Sequence, residues 1–221
     1  MKIQNHPSFD EEKKFWKRNK LVIGIDEVGR GAFAGPIVAA AVVFPPNFSI
    51  DHGSILEGIN DSKQVKPLAR IKLDKLIRKN ILYFAVDSVR VSVINKVGIG
   101  QANRMVFRKV VAQVIQQAKL KNPNSNFHLL VDGFHVKFVR QAGLKHQKAI
   151  VKGDQKCFSI AAASIIAKVH RDRLMKRYHR QFPQFGFGRN KGYGTLDHRK
   201  ALRDFGLTKI HRVAFSNNVQ V

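Results

Sequence analysis

The chain has 221 residues, 44% of them apolar, and carries 40 Lys and Arg against 15 Asp and Glu for a formal net charge of +25. That length and apolar content exclude a disordered chain and suit one large domain, or one domain with an appendage, while the charge points to a polyanionic partner, nucleic acid ahead of an anionic membrane. The single cysteine, Cys157, excludes an internal disulfide, no Cys/His spacing resembles a zinc site, and the longest apolar run, residues 37–44, is far too short for the ~20 residues of a transmembrane helix.

Residues 1–20 are polar and charged and read as a short helix or an arm. Glu11, Glu12 and several lysines there are unlike a signal peptide, so the protein is expected in the cytoplasm with no membrane association. Residues 21–25 (LVIGI) read as a strand. Residues 37–44 form a second, near-continuous apolar run closed by Pro45-Pro46, as expected of a strand buried on both faces. Helical spacing of Leu68, Ile71, Leu73, Leu76 and Ile77 predicts a helix over 67–80, and period-two alternation through Ala85, Asp87, Val89 and Val91 predicts a strand over 82–91. Val106, Val110, Val114 and Ala118 lie four apart and predict a long helix over 101–120. Residues 127–131 are a strand closed by Asp132-Gly133, and 148–151 a short strand running into Lys152-Gly153-Asp154. A second long helix is predicted over 159–182, with Ile165, Val169, Leu174, Tyr178 and Phe182 in register. Its small-sided start, SIAAAS, lets it lie close against a sheet or a ligand. After Pro183 the composition turns to glycine, aromatic and basic residues, followed by a last helix over 196–205. No internal repeat or low-complexity linker interrupts the chain. Early strands with interleaved helices and a helical end predict an α/β fold divided into an arm (1–20), a main domain (21–182) and a C-terminal helical extension (183–221).

Carboxylates recur at the ends of the apolar strands: Asp26–Glu27 after LVIGI, Asp132 after FHLLV and Asp154 after AIVKG. Ligand sites of open α/β sheets lie outside the carboxyl ends of strands, so acids far apart in sequence can converge there. The plainer reading of each is a helix N-cap or a surface turn. Successive strand residues point to opposite faces, so Asp26 and Glu27 are expected to share a site only if the strand ends at them, with Gly29 and Gly31 supplying the exit. Adjacent carboxylates beside a buried strand raise each other's pKa unless a positive charge lies between them. A divalent cation with a preference for oxygen ligands answers that need. On a basic, nucleic-acid-binding chain, four such carboxylates suggest two-metal phosphoryl transfer.

Five segments in order, IDEVGRGAFAGPIVAAAVV, GINDSK, LLVDG, KGDQKCFSIAAASIIAKVHRDR and FGFGRNKGYGTLDHRKALRDFGLTKIHR, resemble bacterial ribonuclease HII of the type 2 ribonuclease H family over about nine-tenths of the chain. The resemblance implies a ribonuclease H-like fold, a central mixed sheet flanked by helices with a helical C-terminal extension, in a monomer. It implies hydrolysis of the phosphodiester 5′ to a ribonucleotide in RNA/DNA hybrids or RNA–DNA junctions, including a single ribonucleotide in duplex DNA, leaving a 3′-hydroxyl and a 5′-phosphate. By motif position Asp26, Glu27, Asp132 and Asp154 become ligands of two Mg²⁺ or Mn²⁺ ions. Gly29, Arg30 and Gly31 become the contact to the ribose 2′-hydroxyl, and Tyr193 the residue packed on that ribose. Asn60, Asp61, Ser62 and Lys63, with Lys152, Lys156 and Ser159, become contacts to the nucleic-acid backbone, which position a duplex without reading bases.

The chain departs from the family pattern at Ala32, where proline is common; at Cys157, which replaces a serine and removes an expected phosphate contact; and at Asn190, in place of a common histidine. Asp172 reads as a salt-bridge partner of Arg171, Lys168 or Lys176, and His170, His179, His198 and His211 as surface or DNA-facing residues. Two other readings remain. The related ribonuclease HIII is disfavoured by the short segment before the first strand and by the GRG turn. A non-catalytic basic nucleic-acid-binding protein explains the charge but leaves the strand-end acids without a purpose.

Overall fold

A computed structural model describes residues 6–46, 48, 49, 59, 65–140 and 142–216. The expected strands pair into one five-stranded sheet, β1 (Lys20–Val28), β2 (Ile37–Val43), β3 (Tyr83–Val89), β4 (Asn126–Asp132) and β5 (Gln147–Ile150), in the order β3-β2-β1-β4-β5. β1 pairs antiparallel with β2, and β2 with β3, whereas β1 pairs parallel with β4, and β4 with β5. The sheet is therefore mixed, with β1 at its centre and the C-terminal ends of β1, β4 and β5 at the same edge.

Side-chain alternation divides the core into two layers. Val22 of β1 and Val38, Ala40 and Val42 of β2 face α5 (Phe158–Gln181) and α2 (Pro67–Asn80). Ile23, Ile25, Ile37, Ala39, Ala41 and Val43 face α4 (Ile99–Lys121) with Val106, Val110 and Val114. Every residue of β2 is buried, as its unbroken apolar run requires. α5 comes closest to the sheet at Gly24, where an added Cβ would stand 2.4 Å from the Ser159 carbonyl carbon. The alanines Ala161–Ala163 keep the helix at that distance.

Residues 10–16 form α1 (Asp10–Trp16), a short helix within the N-terminal segment and one of its two expected forms, and Phe9 and Trp16 enter the α5-side core. Two elements differ from the sequence expectation. The strand expected through Val91 stops at Val89, and Val91–Val97 becomes a separate helix, α3, ended by Gly98 at φ +78° just before α4. β1 runs on to Val28, three residues past the expected end. After α5 come α6 (Phe187–Asn190), α7 (Leu196–Phe205) and α8 (Val213–Ser216). They enclose a third, small core of Phe185, Phe187, Ala201, Leu202 and Ile210 with Met175 of α5 and Ala34. Among the described residues no helix is long and apolar enough to cross a membrane.

Candidate active site

The four strand-end acids line a single cavity of about 440 Å³, together with Val28–Gly31, Ser164, Lys168 and Tyr193. β1 does not end at Asp26–Glu27 as expected; its pairing becomes one-sided there. The ladder to β4 stops at Ile25↔Val131, while that to β2 continues through Val28↔Val38. Asp26 lies on the α5 side of the strand, next to Ser164. Glu27 lies on the opposite side, yet reaches the cavity because β4 no longer covers that edge. Asp132 is the last residue of β4, and Asp154 sits in a 3₁₀ turn (Gly153–Gln155) just past β5.

Backbone donors hold two of the acids. Asp26 Oδ1 accepts the Glu27 N–H at 2.7 Å, and Asp132 Oδ1 accepts the Gly153 N–H at 2.7 Å. A Cβ on Gly153 would stand 2.6 Å from Ile160 Cδ1, so a bare backbone is needed for that approach. Asp26 is only 5% exposed. Burial first, then the carboxylates of Glu27, Asp132 and Asp154, push its carboxyl well above the ordinary range, against the opposing hydrogen bond of the Ser164 hydroxyl. The donor set is all oxygen and mutually repulsive, which suits a hard divalent cation. Among the described residues no three His, Cys, Asp or Glu side chains already form a closed ligand group. The acids share the cavity and fit an ion, but they are not drawn together into a cage.

Two cationic side chains, Arg30 and Lys168, line the same cavity. Lys168 Nζ bonds Asp172 at 2.6 Å, and Arg70 Nη1 reaches the other Asp172 oxygen at 3.3 Å. Asp172 is thus an ion-pair residue, as expected, with Lys168 among the anticipated partners and Arg70 in addition. Burial pulls the Lys168 ammonium below the ordinary lysine range, against the pull of Asp172.

Gly29–Gly31 and Tyr193 line the same cavity as the acids. Gly29 has φ +87°, a backbone region that favours glycine, and a Cβ there would stand 2.1 Å from Arg171 Nε. Gly31 faces open space, and Arg30 is exposed with its guanidinium 5.8 Å from the Phe134 ring centre. The segment from Gly29 to Pro36 is bound to two distant parts of the chain. Phe33 and Ala34 N–H both donate to the Gly192 carbonyl, at 2.8 and 3.1 Å; Gly35 N–H donates to Ile210, and Arg212 N–H to Phe33. Tyr193 is thereby fixed beside the turn, its ring centre 5.5 Å from the Arg171 guanidinium carbon.

Other expected site residues fare differently. Lys152 and Lys156 are exposed on either side of Asp154. Asn60, Asp61, Ser62 and Lys63 lie outside the described residues. Ser159 is corrected: it is 1% exposed, and its N–H and hydroxyl both donate to Glu12 Oε1, at 2.9 and 2.7 Å. Its role is to tie α1 to the first turn of α5, beneath the surface a duplex would touch. Cys157 is corrected too. It is fully buried in the α5-side core, where burial pushes its thiol up, so its replacement of serine removes no phosphate contact.

His198 and His211 are likewise corrected from surface residues to buried ones, with their Nε2 atoms 3.1 Å apart. Their outer partners assign the tautomers. Thr208 N–H donates to His211 Nδ1 at 2.9 Å, so His211 carries its proton on Nε2 and donates to His198, whose Nδ1–H then donates to the Tyr193 carbonyl at 2.9 Å. Both rings are neutral in this chain of bonds. Burial, with His198 adding to it, lowers His211 to about 4. Asn190 bridges the Phe185 carbonyl and the Gly192 N–H, and so shapes the turn that presents Tyr193.

Sequence reasoning passed over Ser164 and Arg212, and gave Lys168 and Arg171 only as partners of Asp172. The signal for Ser164, Lys168 and Arg171 was present: they recur at i, i+4 and i+7 as a polar stripe on an otherwise apolar helix face. Arg212 had no local signal.

A family model described as Ribonuclease HII matches residues 23–218. A ribonuclease HII of Syntrophus aciditrophicus is 44% identical over 196 residues, covering 89% of this chain and 84% of the relative. One from Chlorobium phaeobacteroides is 40% identical, covering 93% of this chain and 95% of its own. Among solved structures, ribonuclease H2 from Pyrococcus horikoshii superposes with a TM-score of 0.68 at 26% identity, covering 90% of this chain and 96% of that one.

Proposed function

Because the chain belongs to the ribonuclease HII family and is an endoribonuclease, we propose that it hydrolyses the phosphodiester on the 5′ side of a ribonucleotide in RNA/DNA hybrids and RNA–DNA junctions, single embedded ribonucleotides included, leaving a 3′-hydroxyl and a 5′-phosphate. The observation that carries this reading is Asp26, buried in one cavity with Glu27, Asp132 and Asp154 and carrying a carboxyl driven upward first by that burial and then by those acids. Such a cluster repels a phosphodiester unless cations stand between them. Asp26, Glu27, Asp132 and Asp154 would hold two Mg²⁺ or Mn²⁺ ions, which supply a lowered water pKa and neutralisation of the charge on the departing oxygen.

The chain's own residues supply the rest. Asp26 and Asp132 are oriented by the backbone N–H groups of Glu27 and Gly153. Lys168 places a half-buried positive charge at the cavity wall, where it favours an incoming phosphate. Gly31, with open space at its Cα, lets the backbone approach a ribose 2′-hydroxyl, the group that separates a ribonucleotide from its deoxy neighbours. Tyr193 faces the same cavity and supplies an aromatic surface for that sugar. Lys152 and Lys156 lie where they can hold the duplex backbone without reading its bases.

The test is an end-labelled DNA duplex with one ribonucleotide, incubated with Mg²⁺ or Mn²⁺ beside all-DNA and EDTA controls. The expected product is a single cut 5′ to the ribonucleotide, lost in EDTA and in Asp26→Asn. Binding with no cut in either metal would sink the reading and leave a basic nucleic-acid-binding protein.

A further inference from the structure

We propose that Arg212, backed by Arg171, is the positioning residue for ribonucleotide recognition: from the C-terminal segment it staples the Gly29–Gly31 turn in the one conformation that meets a 2′-hydroxyl. This deepens the proposed function and rests on that turn being the 2′-hydroxyl contact.

Both guanidinium groups are fully buried, and removing a charge from water costs several kcal/mol unless hydrogen bonds and neighbouring charge offset it. Six of their hydrogen bonds go to this one loop and the segment beside it. Arg212 Nε and Nη2 donate to the Gly35 carbonyl at 3.0 and 2.8 Å, and its Nη1 to the Arg30 carbonyl at 2.8 Å. One planar group therefore spans the loop from the residue between the two glycines to its far end. Arg171 continues the clamp, donating to Ala34 at 3.0 Å, Pro36 at 3.1 Å and Lys191 at 2.8 Å. The Lys191 contact ties the same group to the Tyr193 segment, so turn and tyrosine are held relative to one another.

That geometry has a consequence for specificity. A 2′-hydroxyl is a single small group, and its recognition needs the contacting backbone placed to within about 0.5 Å. Gly29 and Gly31 allow the close approach, but their own torsional freedom works against such precision. The guanidinium fork removes that freedom from outside the loop. Lysine cannot substitute, because an ammonium lacks the planar fork that bonds two carbonyls some five residues apart in a fixed geometry. Overall duplex affinity, by contrast, depends mainly on exposed basic residues elsewhere, such as Lys152 and Lys156, which the clamp does not touch.

The test uses the full chain with Arg212→Lys and Arg212→Met. Single-turnover cleavage of a duplex with one ribonucleotide is measured well below each variant's Tm, beside the Kd for an all-DNA duplex of the same sequence. The expected result is a fall in cleavage rate of at least about tenfold in both variants, with the all-DNA Kd within about twofold of wild type. A folded Arg212→Lys that cleaves at the wild-type rate would show a merely structural charge and overturn the proposal. So would a parallel loss of rate and all-DNA affinity. Should Arg212→Met fail to fold, the lysine variant alone decides. A wild-type protein that binds but never cuts would instead overturn the proposed function on which this inference rests, a result that the variants are not needed to read.

Discussion

The two sides of the cavity are built by opposite means. On the acid side the functional groups come from strand ends, Asp26 and Glu27 from β1, Asp132 from β4 and Asp154 from the turn just past β5. The bonds that orient Asp26 and Asp132 come from the next residue and from the adjacent strand-end turn. On the side of the glycine turn and Tyr193, local bonds such as those of Asn190 are joined by long-range ones. The Gly29–Gly31 turn and Tyr193 are held by Arg171, Arg212 and the His198–His211 pair, with bonds that span up to 182 residues. Chemistry common to a whole enzyme class can be assembled from strand ends, which the sheet places within reach of one another. On the proposed reading, discrimination of one hydroxyl would need a flexible turn immobilised from elsewhere.

Several measurements would sharpen or break that contrast. The largest effect is expected from Asp26→Asn or Asp132→Asn, which should abolish cleavage while keeping the fold and keeping or strengthening duplex binding, as read by circular dichroism and titration of a labelled duplex. Unfolding of both variants would count against the metal-site assignment.

Next come two glycines. Gly24→Ala forces a methyl into the Ser159 backbone and should cost about 3 kcal/mol or more by urea unfolding. Gly31→Ala meets nothing within 4 Å; it should unfold within about 0.5 kcal/mol of wild type yet cut roughly a hundredfold more slowly, the penalty of a misplaced ribose. Equal unfolding midpoints for the two variants would erase the distinction between core and contact glycines.

Metal addition should stabilise the acid side alone. At about a hundredfold excess over Kd, Mg²⁺ or Mn²⁺ should raise the wild-type Tm by roughly 5–10 °C, and Asp26→Asn should lose most of that shift in differential scanning fluorimetry.

The recognition side should instead respond to acid. His211 titrates near 4 when folded and near 6.5 when unfolded, so below pH 6.5 the unfolded chain binds the extra proton first. Its contribution is complete above pH 6.5 and is lost as pH falls towards 4, up to about 3 kcal/mol. Asp26 works in the other direction, since a raised folded pKa favours the folded state at low pH. Comparing wild type with His211→Asn in EDTA isolates the histidine, and an unchanged slope between pH 6.5 and 4 would mean that the buried pair does not titrate as its surroundings imply.

The smallest effect is expected at Ser159. Ser159→Ala removes its hydroxyl bond to Glu12 and should cost about 1–3 kcal/mol with no change in duplex Kd. A weakened Kd would return Ser159 to the nucleic-acid interface.

The long helices and the strand cores were legible because their periodicities are local: 67–80 and 196–205 are helical over the residues that the spacing indicated. The acids were legible for a related reason, since an acid directly after an apolar strand already states where it stands. What misled was side-chain chemistry taken without its surroundings. Val91 looks like a strand residue but belongs to α3, where packing overrides β-branched propensity. His198, His211, Ser159 and Cys157 look like surface groups, yet each has its partners or its packing inside the protein.

By itself the sequence determined the alternation of strands and helices, the mixed α/β class implied by its motifs, and the acids at the strand ends. These depend on hydrophobic periodicity and on chemistry carried within a few residues. Only the tertiary structure decided that β1 continues past its acids with one side uncovered, which lets Glu27 join Asp26 in one cavity. It alone decided that two buried arginines, 41 positions apart, close on the same glycine loop. A backbone carbonyl looks the same at every position in a sequence; which ones a distant guanidinium will reach is settled only when the chain has folded around it.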